Sequence, residues 1–217
     1  VGDVKRLKRD EGFTLIELAI VLVIIGIILG AVMKGQDLMN NAREKRFINW
    51  VKSWELAQWQ YLDRKGVFAG DSGNKNGIIG DSSSEQDATG NPLTRIANAN
   101  FINPPTTSIV FGSTSFYIKI GYGTATTNRN VIIISKSSAA GTCVQAADAL
   151  TSDELHFFEA FDTSIDGDAD AGNGNVRGVT ACTASNNAVT VVTDVTTAST
   201  DWATGHYGLA YYFDKPR

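Results

Sequence analysis

Four carboxylates crowd into nine residues at Asp162, Asp166, Asp168 and Asp170, inside the Gly-rich stretch DTSIDGDADAGNGNVRG. Unpaired carboxylates this close repel one another, and glycines let backbone wrap near an ion. Asp166-x-Asp168-x-Asp170 could therefore converge on Ca²⁺, with a backbone carbonyl and Asn173 completing an all-oxygen shell. The twelfth position counted from Asp166 is Arg177, so the stretch is not an EF-hand. The competing reading is a solvated acidic loop with Asp-Gly turns. A second stretch, Asn74-Lys75-Asn76-Gly77-Ile78, resembles a piece of a calcium loop. With Ser72 where the first ligand belongs and Ser83 where the terminal Glu belongs, it reads as an Asn-Gly turn.

Chemistry of other kinds finds little support. There is no GxSxG, Walker loop, HExxH or CxxCH motif, and no convincing catalytic triad. His156 sits beside Phe157 and Phe158 and reads as a helix-face residue; His206 falls in a polar turn. The chain is expected not to be an enzyme, and to require no cofactor unless Ca²⁺ binds. With 217 residues, 43% hydrophobic content, 4 Pro and 2 Cys, it is neither collagen-like, nor a dense disulfide scaffold, nor wholly disordered. A net charge of −4 argues against a dedicated nucleic-acid binder.

That average conceals three unlike segments. Residues 1–12 carry a small basic excess around Lys5, Arg6, Lys8 and Arg9. Residues 13–65 have seven basic groups against five acidic, and 66–217 have eight against fifteen. Between head and body lies an apolar bar, Phe13 to Met33, FTLIELAIVLVIIGIILGAVM. As a helix it would span roughly 30 Å, the thickness of a bilayer's hydrocarbon core. Lys34-Gly35 follow without a signal-peptidase pattern, so the bar is expected to be retained. Its only charge is Glu17. A carboxylate there costs about 3 kcal/mol and calls for a partner.

The run Gly12-Phe13-Thr14-Leu15-Ile16-Glu17, behind a short basic leader and ahead of an unbroken apolar stretch, resembles the prepilin motif of type IV pilins and type II secretion pseudopilins. The resemblance implies cleavage between Gly12 and Phe13 by a membrane prepilin peptidase, followed by N-methylation of Phe13. It implies a leader at 1–12, a membrane-spanning and filament-core segment at 13–35 and a globular domain at 36–217. It also implies that Glu17 pairs with the Phe13 amine of an adjacent copy. The fold it implies is α+β, the type IV pilin fold, with a long N-terminal helix packed on an antiparallel sheet. The partners it implies are further copies of the chain in a helical homopolymer, the peptidase, and an inner-membrane pilus or secretion machine. The location it implies is the bacterial inner membrane, then the periplasm or a surface filament. Calcium loops in related pseudopilins add weight to the acidic stretch.

The elements that must carry these groups can be read along the chain. Phe47, Trp50, Trp54, Ala57 and Tyr61 recur at helical spacing on one face, and Lys65-Gly66 is a stop signal. One helix from about Thr14 to Arg64 is expected, with the aromatic face packed on the body. Gly26, Gly30 and Gly35 stand where many such helices have Pro; they serve either local melting or close packing. A short helix is expected over 93–102. Strands are expected at 108–112, 115–121 and 130–135, as an antiparallel meander over the aromatic face, with final strands at 188–195 and 207–214. Thr151-Ser152-Asp153-Glu154 is a capping box for a helix to about Phe161. Cys143 and Cys182, in an exported domain, are expected to form a disulfide rather than remain as two buried thiols. The favoured role is a structural pilus subunit. The alternatives are a secretion pseudopilin, for which the body is long, or a minor or competence pilin acting as a binding module.

Overall fold

The computed structural model describes residues 12–123, 129–195 and 200–215. Helix α1 runs unbroken over Leu15–Lys65 and passes through Gly26, Gly30 and Gly35 without interruption. The chain divides into two compact units, Val1–Ala42 and Arg43–Arg217.

In the first unit every described side chain is exposed, including Ile16, Leu22, Ile27 and Leu29. The helix there is long and apolar enough to cross a membrane by length and composition. An apolar surface of this size in water is unfavourable, so it calls for lipid or protein cover.

The second unit begins with the aromatic face of α1. Phe47, Trp50, Val51, Trp54, Ala57 and Tyr61 are all buried, as their spacing predicts. Trp50 and Trp54 both donate their indole N–H to the Thr106 carbonyl, at 2.7 and 3.0 Å. Buried Gln58, which the apolar pattern does not reveal, accepts from Ala69 N and donates to Ala69 O at 3.0 and 3.3 Å. Gly66 ends the helix in the left-handed region at φ 73°, donating to Leu62 O at 2.7 Å. After the loop to residue 91, α2 covers Pro92–Ala97. Asn91 caps it, accepting from Thr94 N, and Pro92 opens its first turn. It stops short of the expected Ile102 because Asn98 caps its end and the chain turns there.

Six strands follow: β1 Ser108–Phe111, β2 Thr114–Gly123, β3 Arg129–Ser135, β4 Val176–Ser185, β5 Ala188–Asp194 and β6 Gly208–Tyr212. A 3₁₀ turn at Ala146–Asp148 and helix α3, Ser152–Ile165, lie between β3 and β4. The capping box forms, with Glu154 Oε2 accepting from Thr151 N at 2.9 Å. Helix α3 extends past the expected Phe161. Strand β4, for which the sequence reading gave no bounds, forms a hairpin with β5. Asn186 and Asn187 make its turn at φ 46° and 67°. Two consecutive positive φ values match the right-handed twist of a two-residue hairpin.

The first three strands form the expected antiparallel meander, and the sheet then departs from simple chain order. Its order is β1-β2-β3-β6-β4-β5, with the last strand inserted between β3 and β4. A short parallel pairing of β5 with β2, Ile120↔Ala188 and Gly121↔Val189, then closes the far edge back on the sheet. Closure gives the sheet two apolar faces. Ile132, Ile134, Leu209 and Tyr211 join the core that includes the α1 aromatics, Phe158 and Phe161. Val131, Ile133, Ala210 and Tyr212 instead line a second core with Val179, Val189 and Val192. This is why β3 reads as continuously apolar: both its faces are covered. Gly121 permits the closure, since a Cβ there would stand 2.5 Å from Val189 N and 2.7 Å from its Cα. Lys119, on the same strand, is buried and donates to Ser137 O at 2.8 Å; burial lowers its amine to about 8.

Candidate functional site

The N-terminal site is built by helix initiation. Gly12, Phe13 and Thr14 precede α1, and Phe13 is 91% exposed. Thr14 and Glu17 close a capping box around the first turn. Glu17 Oε2 accepts from Thr14 N and from Thr14 Oγ1, both at 2.8 Å, and Glu17 N donates to Thr14 Oγ1 at 3.3 Å. Within one chain, then, the lone carboxylate of the apolar bar already has two donors. Glu17 also lies in the first turn, where the helix dipole favours negative charge. The carboxylate is held close to the chain segment that includes Phe13, and it stays exposed beside an uninterrupted apolar helix.

A family model described as the prokaryotic N-terminal methylation motif matches residues 7–33. The chain carries the prepilin-type signature of type IV pilins and pseudopilins. The prepilin signature spans the Gly12-Phe13 junction, Glu17 and the whole apolar bar. It implies processing by prepilin peptidase and assembly into pilus or secretion machinery. Signature and helix together fit membrane anchoring before assembly. The basic residues of the expected leader, Lys5, Arg6, Lys8 and Arg9, lie outside the described residues. Neither the curated proteins nor the solved structures compared with the chain yield a match. The architecture of the second unit, α+β with the aromatic half of α1 packed on a predominantly antiparallel sheet, is consistent with the type IV pilin fold.

The body of this prepilin-type chain carries the other expected groups. Cys143 and Cys182 are bonded, with Cα atoms 5.4 Å apart. The bond ties the loop after β3 to β4, beside an isolated bridge between Thr142 and Thr183. Both cysteines belong to the second core. The acidic loop follows α3 and turns into β4. Asp166 anchors its return: its carboxylate accepts from Asn175 N, Asn175 Nδ2 and Val176 N at 2.7–2.9 Å. Asp170 Oδ1 accepts from Gly172 N and Thr200 N, at 2.9 and 3.0 Å. Asp162 is wholly buried. Its Oδ2 accepts from Trp202 Nε1 at 2.9 Å, whereas Oδ1 has no hydrogen-bond partner among the described residues. Burial pushes the Asp162 carboxyl up to about 7; the Trp202 bond opposes the rise, and the charges of Asp166, Asp168 and Asp170 add to it. The loop thus brings the four carboxylates into electrostatic reach. It does not gather them into a cage: among the described residues no three His, Cys, Asp or Glu side chains stand ready around one point.

His156 is exposed on α3, 3.3 Å from Glu159. His206 closes the expected turn, donating its backbone N–H to Ala203 O at 2.9 Å, but its ring is not exposed. It is buried against Trp202 and over Gly178, and burial lowers its pKa. Sequence reasoning also missed Arg129 and Asn130. Arg129 donates to the carbonyls of Asp214 and Tyr212 and to Asn175 Oδ1, which joins the C-terminal segment to the acidic loop. Wholly buried Asn130 donates to Asp214 Oδ2 and Gly77 O and accepts from Ile79 N, at 2.7, 2.9 and 3.0 Å. Only the fact that each opens or adjoins a strand could have marked them, and that signal is weak.

Proposed function

We propose that the chain is a structural, non-catalytic subunit of a type IV pilus. In this reading the peptidase cuts between Gly12 and Phe13, the Phe13 amine is methylated, and the subunits polymerise through their apolar helices. The observation that carries the reading is the methylation motif joined without a break to a fully exposed apolar helix. Exposed Leu, Ile and Val along that helix need cover, and neighbouring copies in a filament supply it. Glu17, poised at the first turn, is the group that would meet the α-ammonium of an adjacent copy. In a low-dielectric filament centre such a pair fixes the axial register, because a slipped register leaves both charges unpaired. Electron microscopy of sheared surface filaments, with intact-mass analysis of their subunit, tests the proposal. The expected result is long filaments whose subunit begins at a methylated Phe13. A subunit that retains residues 1–12 refutes the processing. A processed chain found only in short periplasmic assemblies assigns it to the pseudopilins instead.

A further inference from the structure

A cavity of about 300 Å³ opens on the second unit, where α1, the end of α3, the start of β3 and the chain leaving β6 come together. Trp59, Ile165 and Phe213 give it an apolar wall; Arg129, Asn175 and Lys215 give it polar groups. Trp59 stands apart from the other tryptophans. Trp50, Trp54 and Trp202 are buried, at 7%, 1% and 6% exposure, whereas Trp59 is 39% exposed. Its ring is nonetheless braced edge-to-face against Phe68 and Phe213, with centroids 5.3 and 6.2 Å away. A rigid aromatic surface left open beside a cavity suits a ligand, because it loses little conformational freedom on contact.

The polar side is rich in donors. Arg129 has five N–H groups. Three are engaged by the Asp214 and Tyr212 carbonyls and Asn175 Oδ1. Among the described residues this leaves one N–H on each terminal nitrogen. The guanidinium lies 5.6 Å from the Tyr212 ring centroid and its side chain is only 12% exposed, so it is held in place. Lys215 is exposed and makes no ion pair with a described residue. Asp214, the carboxylate of the lining, accepts from Asn130 N and Nδ2 at 2.8 and 2.7 Å and is committed to the fold. Two cations against this carboxylate leave the lining with positive charge in excess.

We propose that the cavity binds an acidic sugar, a pyranose ring bearing a carboxylate, with the ring against Trp59 and the carboxylate between Arg129 and Lys215. The fork of a guanidinium matches a planar carboxylate. The volume is at the low end for ligand cavities, which admits one or two small rings and excludes a dinucleotide. With Trp59 and Lys215 exposed, the mouth stays wet. A hydroxylated ring covers the indole with its C–H face and keeps its other face in water, whereas an aromatic acid would leave apolar surface exposed. Asn175 Oδ1 accepts from Arg129 at 2.8 Å and keeps a second lone pair for a hydroxyl. The same chemistry is offered by a free uronate and by a residue of an acidic polysaccharide.

The test titrates the full chain in detergent with galacturonate, with galactose as the ring without charge and acetate as the charge without ring. Binding is read by calorimetry and by tryptophan fluorescence, for which Trp59 is the exposed reporter. Galacturonate should saturate with a Kd on the order of 1 mM, as expected for a ligand of about a dozen heavy atoms. Galactose and acetate should each bind at least about ten-fold more weakly. Lys215→Gln, at an exposed position, and Trp59→Ala should each weaken galacturonate binding about ten-fold; Lys45→Gln, outside the cavity, should leave it unchanged. If Trp59→Ala fails to fold, Lys215→Gln alone decides. A linear galacturonate tetramer that binds at least as tightly as the monomer assigns the site to a polysaccharide; one that binds more weakly assigns it to the free sugar. No saturation at about 20 mM galacturonate, some twenty-fold above the expected Kd, overturns the proposal. So does equal binding of galactose, or galacturonate binding that Lys215→Gln leaves unchanged.

Discussion

Removing the Cys143–Cys182 bond should destabilise the body by about 4 kcal/mol, the chain-entropy value for a loop of this length. The two residues are separated by 39 positions. The closed segment contains the 3₁₀ turn, α3, the acidic loop and the start of β4, so without the bond the unfolded chain regains the freedom of that whole stretch. In a body of this size about 4 kcal/mol corresponds to a melting-temperature drop of roughly 8–16 °C. Both cysteines are buried in the second core, at 0% and 5% exposure. Replacing them with Ala therefore adds a small packing loss to the entropic term. The assay is thermal melting of the full chain in detergent, followed by near-ultraviolet circular dichroism, for oxidised protein, reduced protein and the Cys143→Ala/Cys182→Ala variant. Reduced protein should melt within the predicted range below the oxidised form, with the double variant slightly lower still. A reduced form melting within about 2 °C of the oxidised form would refute the reasoning, because it would mean less than about 1 kcal/mol of constraint.

Three further outcomes are expected. Gly121→Ala should cost about 1–3 kcal/mol in urea unfolding, since its Cβ meets Val189 backbone that cannot yield; Gly141→Ala, with nothing within 4 Å, is the control, and equal midpoints for both would mean that the sheet closure tolerates a side chain. Asp162 has its folded pKa raised to about 7, above the value of an unfolded Asp, so the folded state binds the extra proton and its stability falls as pH rises from about 4 to about 7. Asp162→Asn should flatten that part of the pH profile, and an unchanged slope would assign the dependence to other groups. Glu17→Ala should abolish or slow filament assembly while the circular dichroism of the body stays native. Glu17→Gln keeps an acceptor for Thr14 but removes the charge, so normal assembly by Glu17→Gln would make helix capping, not charge pairing, the role of this residue.

Much of the helical framework is legible in the residues because it depends on local periodicity and caps. The Phe47–Tyr61 stripe, the stop at Gly66 and the Thr151–Glu154 box each need only a few neighbouring residues to be recognised, and each is present. The GFTLIE motif is likewise local, and its match covers residues 7–33. Strand β4 escaped definition because VRGVTACTAS mixes small and polar residues without clean alternation. Its strand state follows from pairing with β5 and β6. The acidic loop was only half visible. The sequence shows a carboxylate at Asp162, but not that it is wholly buried, because the burial comes from the fold around it and not from its immediate neighbours.

The sequence by itself determined a prepilin-type methylation motif at the N-terminus, one long helix with an apolar first half and a single pair of cysteines. These are short-range properties: a run of apolar side chains, a capping pattern, a count of thiols. Tertiary structure alone decided that β6 inserts between β3 and β4, and that β5 returns to β2 through Gly121 to enclose a second core. Strand order depends on which edges meet after the chain has collapsed, and strands of similar apolar character do not encode that choice in their own spacing. The same long-range packing placed Asn130 against Gly77 and Ile79 in the loop between α1 and α2, and left one oxygen of Asp162 buried without a hydrogen bond among the described residues.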